Sequence, residues 1–254
     1  MLELCHVSKR YSGIPAVDDV SFTAKPGEVT GYLGANGSGK STTMKMITNL
    51  IEATSGDILF GGVPIQTDPI KYKKRLGYVP EEPYLYTHLS GEEYLIMVAQ
   101  LRNLAPEYFS ECIDGLLRLF GLHDDRYSPI SAYSKGMRQK ILLSASLMHN
   151  PDLLLLDEPF SGLDVGSALV LRSLIQELAG RGKVVLFSSH DLETVERICS
   201  RVVILHHGKI VADNSIENLR SSMDLPTLEG IFSQLAIERD TAAISRQIAD
   251  LIHA

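Results

Sequence analysis

The sequence is 254 residues long and 44% hydrophobic, enough to bury one large core or two modest ones. A formal net charge of −7, with no basic run longer than Lys73-Lys74-Arg75, argues against a surface that coats nucleic acid, so no nucleic-acid partner is expected. Cys5, Cys112 and Cys199 lack C-x-x-C spacing and signal neither a disulfide framework nor a zinc site, and no apolar run approaches the roughly 20 residues that cross a bilayer. Reduced cytosolic thiols are expected, with any membrane role coming through a partner.

Leu2, Leu4 and Val7, then Val17, Val20 and Phe22, give residues 2–7 and 16–24 the pattern of strands in an antiparallel edge sheet. Lys9-Arg10-Tyr11-Ser12-Gly13 between them reads as a loop. Its Tyr11 could offer a ring face to a purine, or could simply be half-buried. Glu28 to Leu33 reads as a buried strand and Ser41 to Leu50 as a helix. They flank Gly34-Ala35-Asn36-Gly37-Ser38-Gly39-Lys40-Ser41-Thr42, which fits the phosphate-binding pattern G-x-x-x-x-G-K-[ST] at every specified position. A polyphosphate needs converging donors and little side-chain bulk. Gly34, Gly37 and Gly39 let main-chain amides curl into an anion nest, and the helix N-terminus adds its positive dipole end. Lys40 is expected to reach the β and γ phosphates, and the Ser41 hydroxyl to ligate the Mg²⁺ that bridges them. The loop predicts a nucleotide triphosphate site.

Further along, residues 55–65 read as two short strands about a glycine turn. Leu76 to Val79 reads as a strand ending at Pro80-Glu81-Glu82-Pro83. Glu81 could touch Mg²⁺ or the attacking water from that strand end, or could belong to a solvated acidic turn. Residues 90–149 change to helical patterns: Ser90 to Leu104, Pro106 to Phe120 and Lys135 to Met148. Ser134-Lys135-Gly136 opens the third, as an anion-holding N-terminus or as a plain cap.

The four leucines 153–156 form a strand apolar on both faces that ends abruptly in Asp157 and Glu158. Two acids there suit the Mg²⁺-associated aspartate and water-polarising glutamate of a phosphate-loop ATPase. Ser161 to Asp164 opens a helix to about Ala179, and the strand from Lys183 to Ser188 leads into His190, which could hydrogen-bond a γ-phosphate. Residues 202–212 form a closing hairpin, whose His206 and His207 show no metal-site pattern. The tail is helical in pattern, with apolar faces at Leu228, Ile231, Phe232 and Leu235 and at Ile244, Ile248, Leu251 and Ile252.

In this order the series resembles the ATP-binding cassette family, over about residues 2–238. Tyr11 looks like that family's adenine-stacking aromatic, Gly34 to Thr42 its phosphate loop, and Tyr133-Ser134-Lys135-Gly136-Met137-Arg138-Gln139 its signature segment. Asp157 and Glu158 match its Mg²⁺-associated aspartate and catalytic glutamate, Ser161 to Asp164 its dimer-contact loop, and His190 its switch histidine. The resemblance implies an α/β fold: a phosphate-loop NTPase (RecA-like) core at 1–88 and 150–220, with an antiparallel β edge subdomain and a helical subdomain inserted at 89–149. A helical tail follows at 221–254. It also implies ATP and Mg²⁺ as ligands and two cassettes, identical or paralogous, facing head to tail. Ser134 and Gly136 of one would then touch the γ-phosphate held by Lys40 of the other.

Two departures stand out. The usual Ser-Gly-Gly-Gln signature is Ser134-Lys135-Gly136-Met137, and Glu81 replaces a usual glutamine, adding charge and removing a donor. Both variants resemble the branch of single-cassette subunits that pair with separately encoded export permeases, including drug- and sodium-exporter-like systems. The implied protein is cytoplasmic and peripheral on the inner membrane face. A soluble cassette ATPase of translation or cofactor assembly is the alternative, and a phosphoryl-transfer kinase a further rival.

Overall fold

In the computed structural model, which describes residues 1–82 and 84–236, β1 (Leu2–Tyr11) and β2 (Ile14–Ala24) form an antiparallel hairpin. The hairpin outruns its apolar pattern, so the loop expected at 9–13 is corrected to strand. Lys9, Arg10 and Tyr11 pair with Val17, Pro15 and Ile14, and only Ser12 and Gly13, at φ 49° and 84°, form the turn. Two left-handed turn residues match the twist of the flanking strands, so the ladder continues past the last apolar side chain. β4 (Ser55–Phe60) pairs with β1, and β5 (Val63–Pro64) completes a four-stranded antiparallel sheet in the order β2-β1-β4-β5.

The second sheet holds β3 (Val29–Gly34), β6 (Leu76–Val79), β7 (Leu153–Asp157), β8 (Val184–Ser188), β9 (Arg201–His206) and β10 (Lys209–Ser215), in the order β10-β9-β3-β8-β7-β6. Every pairing is parallel except that of β9 with β10. The apolar runs of its strands serve two cores. Leu153, Leu155, Val184, Leu186, Val203 and Leu205 face the antiparallel sheet and α1 (Lys40–Ile47). Leu154, Leu156, Val185, Phe187, Val202 and Ile204 face the helices on the other side. A strand covered on both faces has no polar side, which is why these read as continuous hydrophobic stretches.

α1 is fastened between the sheets by Met44, Met46 and Ile47, while the Tyr32 hydroxyl donates to Thr43 Oγ1 at 3.1 Å. α2 (Pro69–Lys74) is a six-residue helix capped by Asp68, too short for its period to show in the sequence. Among the described residues, three α-helices lie between β6 and β7: α3 (Gly91–Leu101), α4 (Pro106–Leu119) and α5 (Lys135–Leu147). Ser90 and Glu93 close a reciprocal capping box on α3, which ends three residues short of Leu104 because Asn103 turns left-handed at φ 55°. α6 (Val165–Gly180), the short α7 (Leu192–Ile198), α8 (Ile216–Met223) and α9 (Leu228–Ala236) follow. α8 runs through position 220, and α9 buries Leu228 and Ile231 as the first tail face suggests. Pro83 and the second face at Ile244, Ile248, Leu251 and Ile252 lie outside the described residues. Among the described residues no helix is long and apolar enough to cross a membrane.

Candidate nucleotide-binding and hydrolysis site

β3 delivers the chain to Gly34, the loop turns back through residues 35–39, and α1 starts at Lys40. Gly39 caps α1 at φ 109°, and a Cβ there would lie 2.5 Å from the Ala16 carbonyl oxygen, so both conformation and space require glycine. The loop is braced from below: Ser38 N donates to Ala35 O at 3.1 Å, and Gly208 N, in the β9–β10 turn, donates to Ser38 O at 2.9 Å. Lys40 Nζ donates to Gly34 O at 2.7 Å and Ala35 O at 3.2 Å. Partial burial draws the Lys40 pKa down, and the charges of Asp157, Glu158 and Glu81 oppose that.

A cleft of about 570 Å³ opens over the loop, with Asn36, Gly37 and Lys40 to Thr42 on one wall and Glu81, Asp157, Glu158 and His190 on the other. Parallel register assembles the acidic wall. Val79 pairs with Leu156 and Asp157 with Ser188, so the chain leaves β6, β7 and β8 along one sheet edge. Ligand crevices form at this carboxyl edge of parallel sheets. Asp157 is 4% exposed, and burial, reinforced by Glu81 and Glu158, pushes its pKa up to about 6. Glu158 has a left-handed backbone, φ 49°, and its N–H donates to Ser188 O at 3.0 Å. Its side chain is held at two points: Ser189 Oγ donates to Oε2 at 3.2 Å, and His190 Nδ1 lies 2.9 Å from Oε1.

Three carboxylates against one lysine leave the cleft with surplus negative charge, an environment that favours a cation. Ser41 and Asp157 are the hard oxygen donors placed to hold one. Among the described residues no three His, Cys, Asp or Glu side chains converge into an all-protein cage. That donor set fits a dication whose remaining ligands are phosphate and water.

The other expected residues lie elsewhere. Gly34 and Ser38, though part of the loop, are buried and do not line the cleft. Tyr11, half-exposed at the hairpin end, has Lys9 Nζ 5.4 Å from its ring centroid and does not line the cleft. Ser134 caps α5, accepting from Met137 N at 3.2 Å, and Gly136 packs on the turn at Gly162. Asp164 caps α6, accepting from Ser167 N at 2.8 Å and from Lys140 Nζ at 3.3 Å. None of these three lines the cleft; together they form a second cluster, the signature segment against the 161–164 turn. One contributor escaped the sequence reading: Ser189, although its place beside His190 at a strand end was a signal. Gln139, the last residue of the signature segment, is buried and donates from Nε2 to Pro159 O at 3.1 Å, a contact with a backbone carbonyl that no sequence pattern marks.

The sequence profile of the ABC transporter family matches residues 17–161. The ABC transporter ATP-binding protein NatA of Bacillus subtilis is 36% identical over 237 residues, covering 91% of this chain and 96% of that protein. The ABC-type transporter ATP-binding protein EcsA of the same organism is 32% identical over 240 residues, covering 94% and 97%. A solved ATP-binding subunit of an ABC transporter superposes with a TM-score of 0.88 at 34% identity, over 92% of this chain and 99% of that one. A dimeric ATP-binding cassette solved with ADP and phosphate shares the fold, with a TM-score of 0.78 at 23% identity over 85% of this chain and 99% of that one. A profile that spans more than half of the chain, with relatives matched nearly end to end, leaves one assignment: this protein belongs to the ABC transporter family, as an ATP-binding, ATP-hydrolysing subunit.

Proposed function

We propose that this chain energises an exporter, working as a dimer on a separately encoded membrane permease from the inner face of the membrane. In that reading residues 1–220 are the catalytic unit, with its α/β core at 1–88 and 150–220 and its helical part at 89–149, and 221–254 the tail. The loop from Gly34 to Thr42 cradles the phosphates, Lys40 leaves the carbonyls of Gly34 and Ala35 for the β and γ phosphates, and Tyr11 stacks on adenine. Mg²⁺, held by Ser41 and Asp157 with Glu81 nearby, would neutralise charge on the phosphates when bound. Glu158 takes the proton of the water whose oxygen attacks the γ-phosphorus as the bond to the bridging oxygen breaks. Ser189 and His190 hold Glu158, and His190 turns its exposed ring to the γ-phosphate. Ser134, Gly136 and Asp164 act across the interface on the nucleotide of the second copy, identical or paralogous.

One observation supports this reading: the 2.9 Å contact between Glu158 and His190 on the cleft wall facing Lys40, the arrangement that a base and its orienting group would need opposite the phosphate loop. The test is Glu158→Gln. It should retain ATP binding, lose roughly 10²- to 10³-fold in turnover and elute as an ATP-dependent dimer; turnover near the parent rate would remove Glu158 as the base. Relatives named as transporter subunits favour transport over a soluble cassette ATPase. Affinity purification in gentle detergent should bring down a polytopic membrane protein in near-equal amount, whereas recovery of soluble partners alone would leave the ATPase and sink export.

A further inference from the structure

The His190 turn has catalytic neighbours on one side and a tail helix on the other. Across a recess of about 230 Å³, Phe232 of α9 faces Gly34, Ala35 and Asn36 of the phosphate loop together with His190 and Leu192. A tail helix thus reaches the back of two catalytic loops at once. α9 is anchored: Leu228, Ile231 and Ala236 are buried, and Leu228 N donates to Glu196 Oε1 at 3.0 Å. Arg220 of α8 donates to the same carboxylate. Glu196 belongs to α7, whose cap Asp191 directly follows His190 and accepts from Thr194 N at 3.2 Å. The His190 turn is therefore bracketed by a helix whose position α9 shares. On the cleft side the His190 side chain is 82% exposed and touches Glu158.

We infer that Phe232 is a positioning residue for hydrolysis: its ring backs the His190 turn and keeps that imidazole within reach of Glu158. The inference rests on the roles given above to Glu158 and His190 and extends them to the tail. It assigns α9 a part in turnover, although its side chains do not line the cleft. Truncating Phe232 enlarges the recess, letting the turn retreat from Glu158, while the phosphate loop keeps its own bracing through Gly208. Small displacements of an orienting group cost rate rather than affinity.

The test is a double-mutant cycle in the full-length chain. Phe232→Ala should lower kcat roughly tenfold while KM for ATP and the affinity for a non-hydrolysable analogue stay within about twofold. Phe232→Leu, which keeps apolar bulk, should recover most of the rate. In a His190→Ala background, Phe232→Ala should cost nothing further in single-turnover hydrolysis. Thermal unfolding and the number of nucleotide sites per chain separate misfolding from misplacement: a purely structural Phe232 would lower the number of competent sites and leave kcat per site unchanged. That result, or an equal further loss in the His190→Ala background, overturns the inference. Full turnover by His190→Ala alone instead removes the role of His190, and the inference with it.

Discussion

Asp157 is a carboxylate under electrostatic strain at the site. Its folded pKa of about 6 stands above the 3.8 of an ordinary aspartate, so the folded state binds the proton more tightly than the unfolded chain. The ionised form therefore destabilises the ligand-free protein above about pH 6, and the cost fades as pH falls from 6 towards 4. At pH 8 that cost is on the order of 2–3 kcal/mol. Asp157→Asn should raise the unfolding temperature of the nucleotide-free protein by about 5 °C at pH 8, with the gain shrinking by pH 5; a gain unchanged across that range would mean the carboxyl is not strained. Lys40 is the opposite charge. Lys40→Ala removes charge-assisted contacts to phosphate and should weaken ATP roughly 10- to 100-fold in a calorimetric titration, and unchanged affinity would refute its assignment. The phosphate loop was legible at this scale because each position answers a local need, such as the left-handed Gly39 under the Ala16 carbonyl. The contact of His190 with Glu158 was not, since it depends on the register of β7 against β8, which neither segment encodes alone.

At the scale of elements, long periodic helices and two-sided apolar strands were readable from pattern, whereas α2 and α7, each under two full turns, were not. Strand ends misled in the other direction: Lys9 to Tyr11 have no apolar alternation, yet the Ser12-Gly13 turn extends the ladder through them. Contacts between elements left even less trace. A Cβ at Gly136 would come within 2.4 Å of the Gly162 carbonyl oxygen, which is backbone and cannot yield like a flexible side-chain end. Glycine there thus has a reason internal to the chain, the close approach of α5 to the 161–164 turn. Gly136→Ala should push that turn away from the signature segment, lowering turnover at least tenfold while leaving ATP affinity at the Lys40 loop within about twofold. Normal turnover by this variant would show that the turn accommodates a methyl group without consequence.

For the molecule as a whole, the separation of the two clusters matters most. Lys40, Asp157, Glu158 and His190 share one cleft, whereas Ser134, Gly136 and Asp164 do not line it. If the second cluster completes the site of another copy, ATPase rate per chain must rise with protein concentration and level off as light scattering reports dimers. A rate per chain that is flat across that range, with the protein monomeric, would sink the shared site.

The strand order has a consequence of another kind, for how the protein is made. β3, which delivers the phosphate loop, pairs with β8 and β9, strands at residues 184–206. During translation the loop-bearing strand therefore waits without its sheet partners until most of the chain has been synthesised. Sheets closed by such distant segments form slowly and leave sticky intermediates exposed. A nascent chain halted before residue 184 cannot shelter under its own ligand, because nucleotide has no finished cradle to stabilise. ATP bound at this site can therefore stabilise only the last stage of folding.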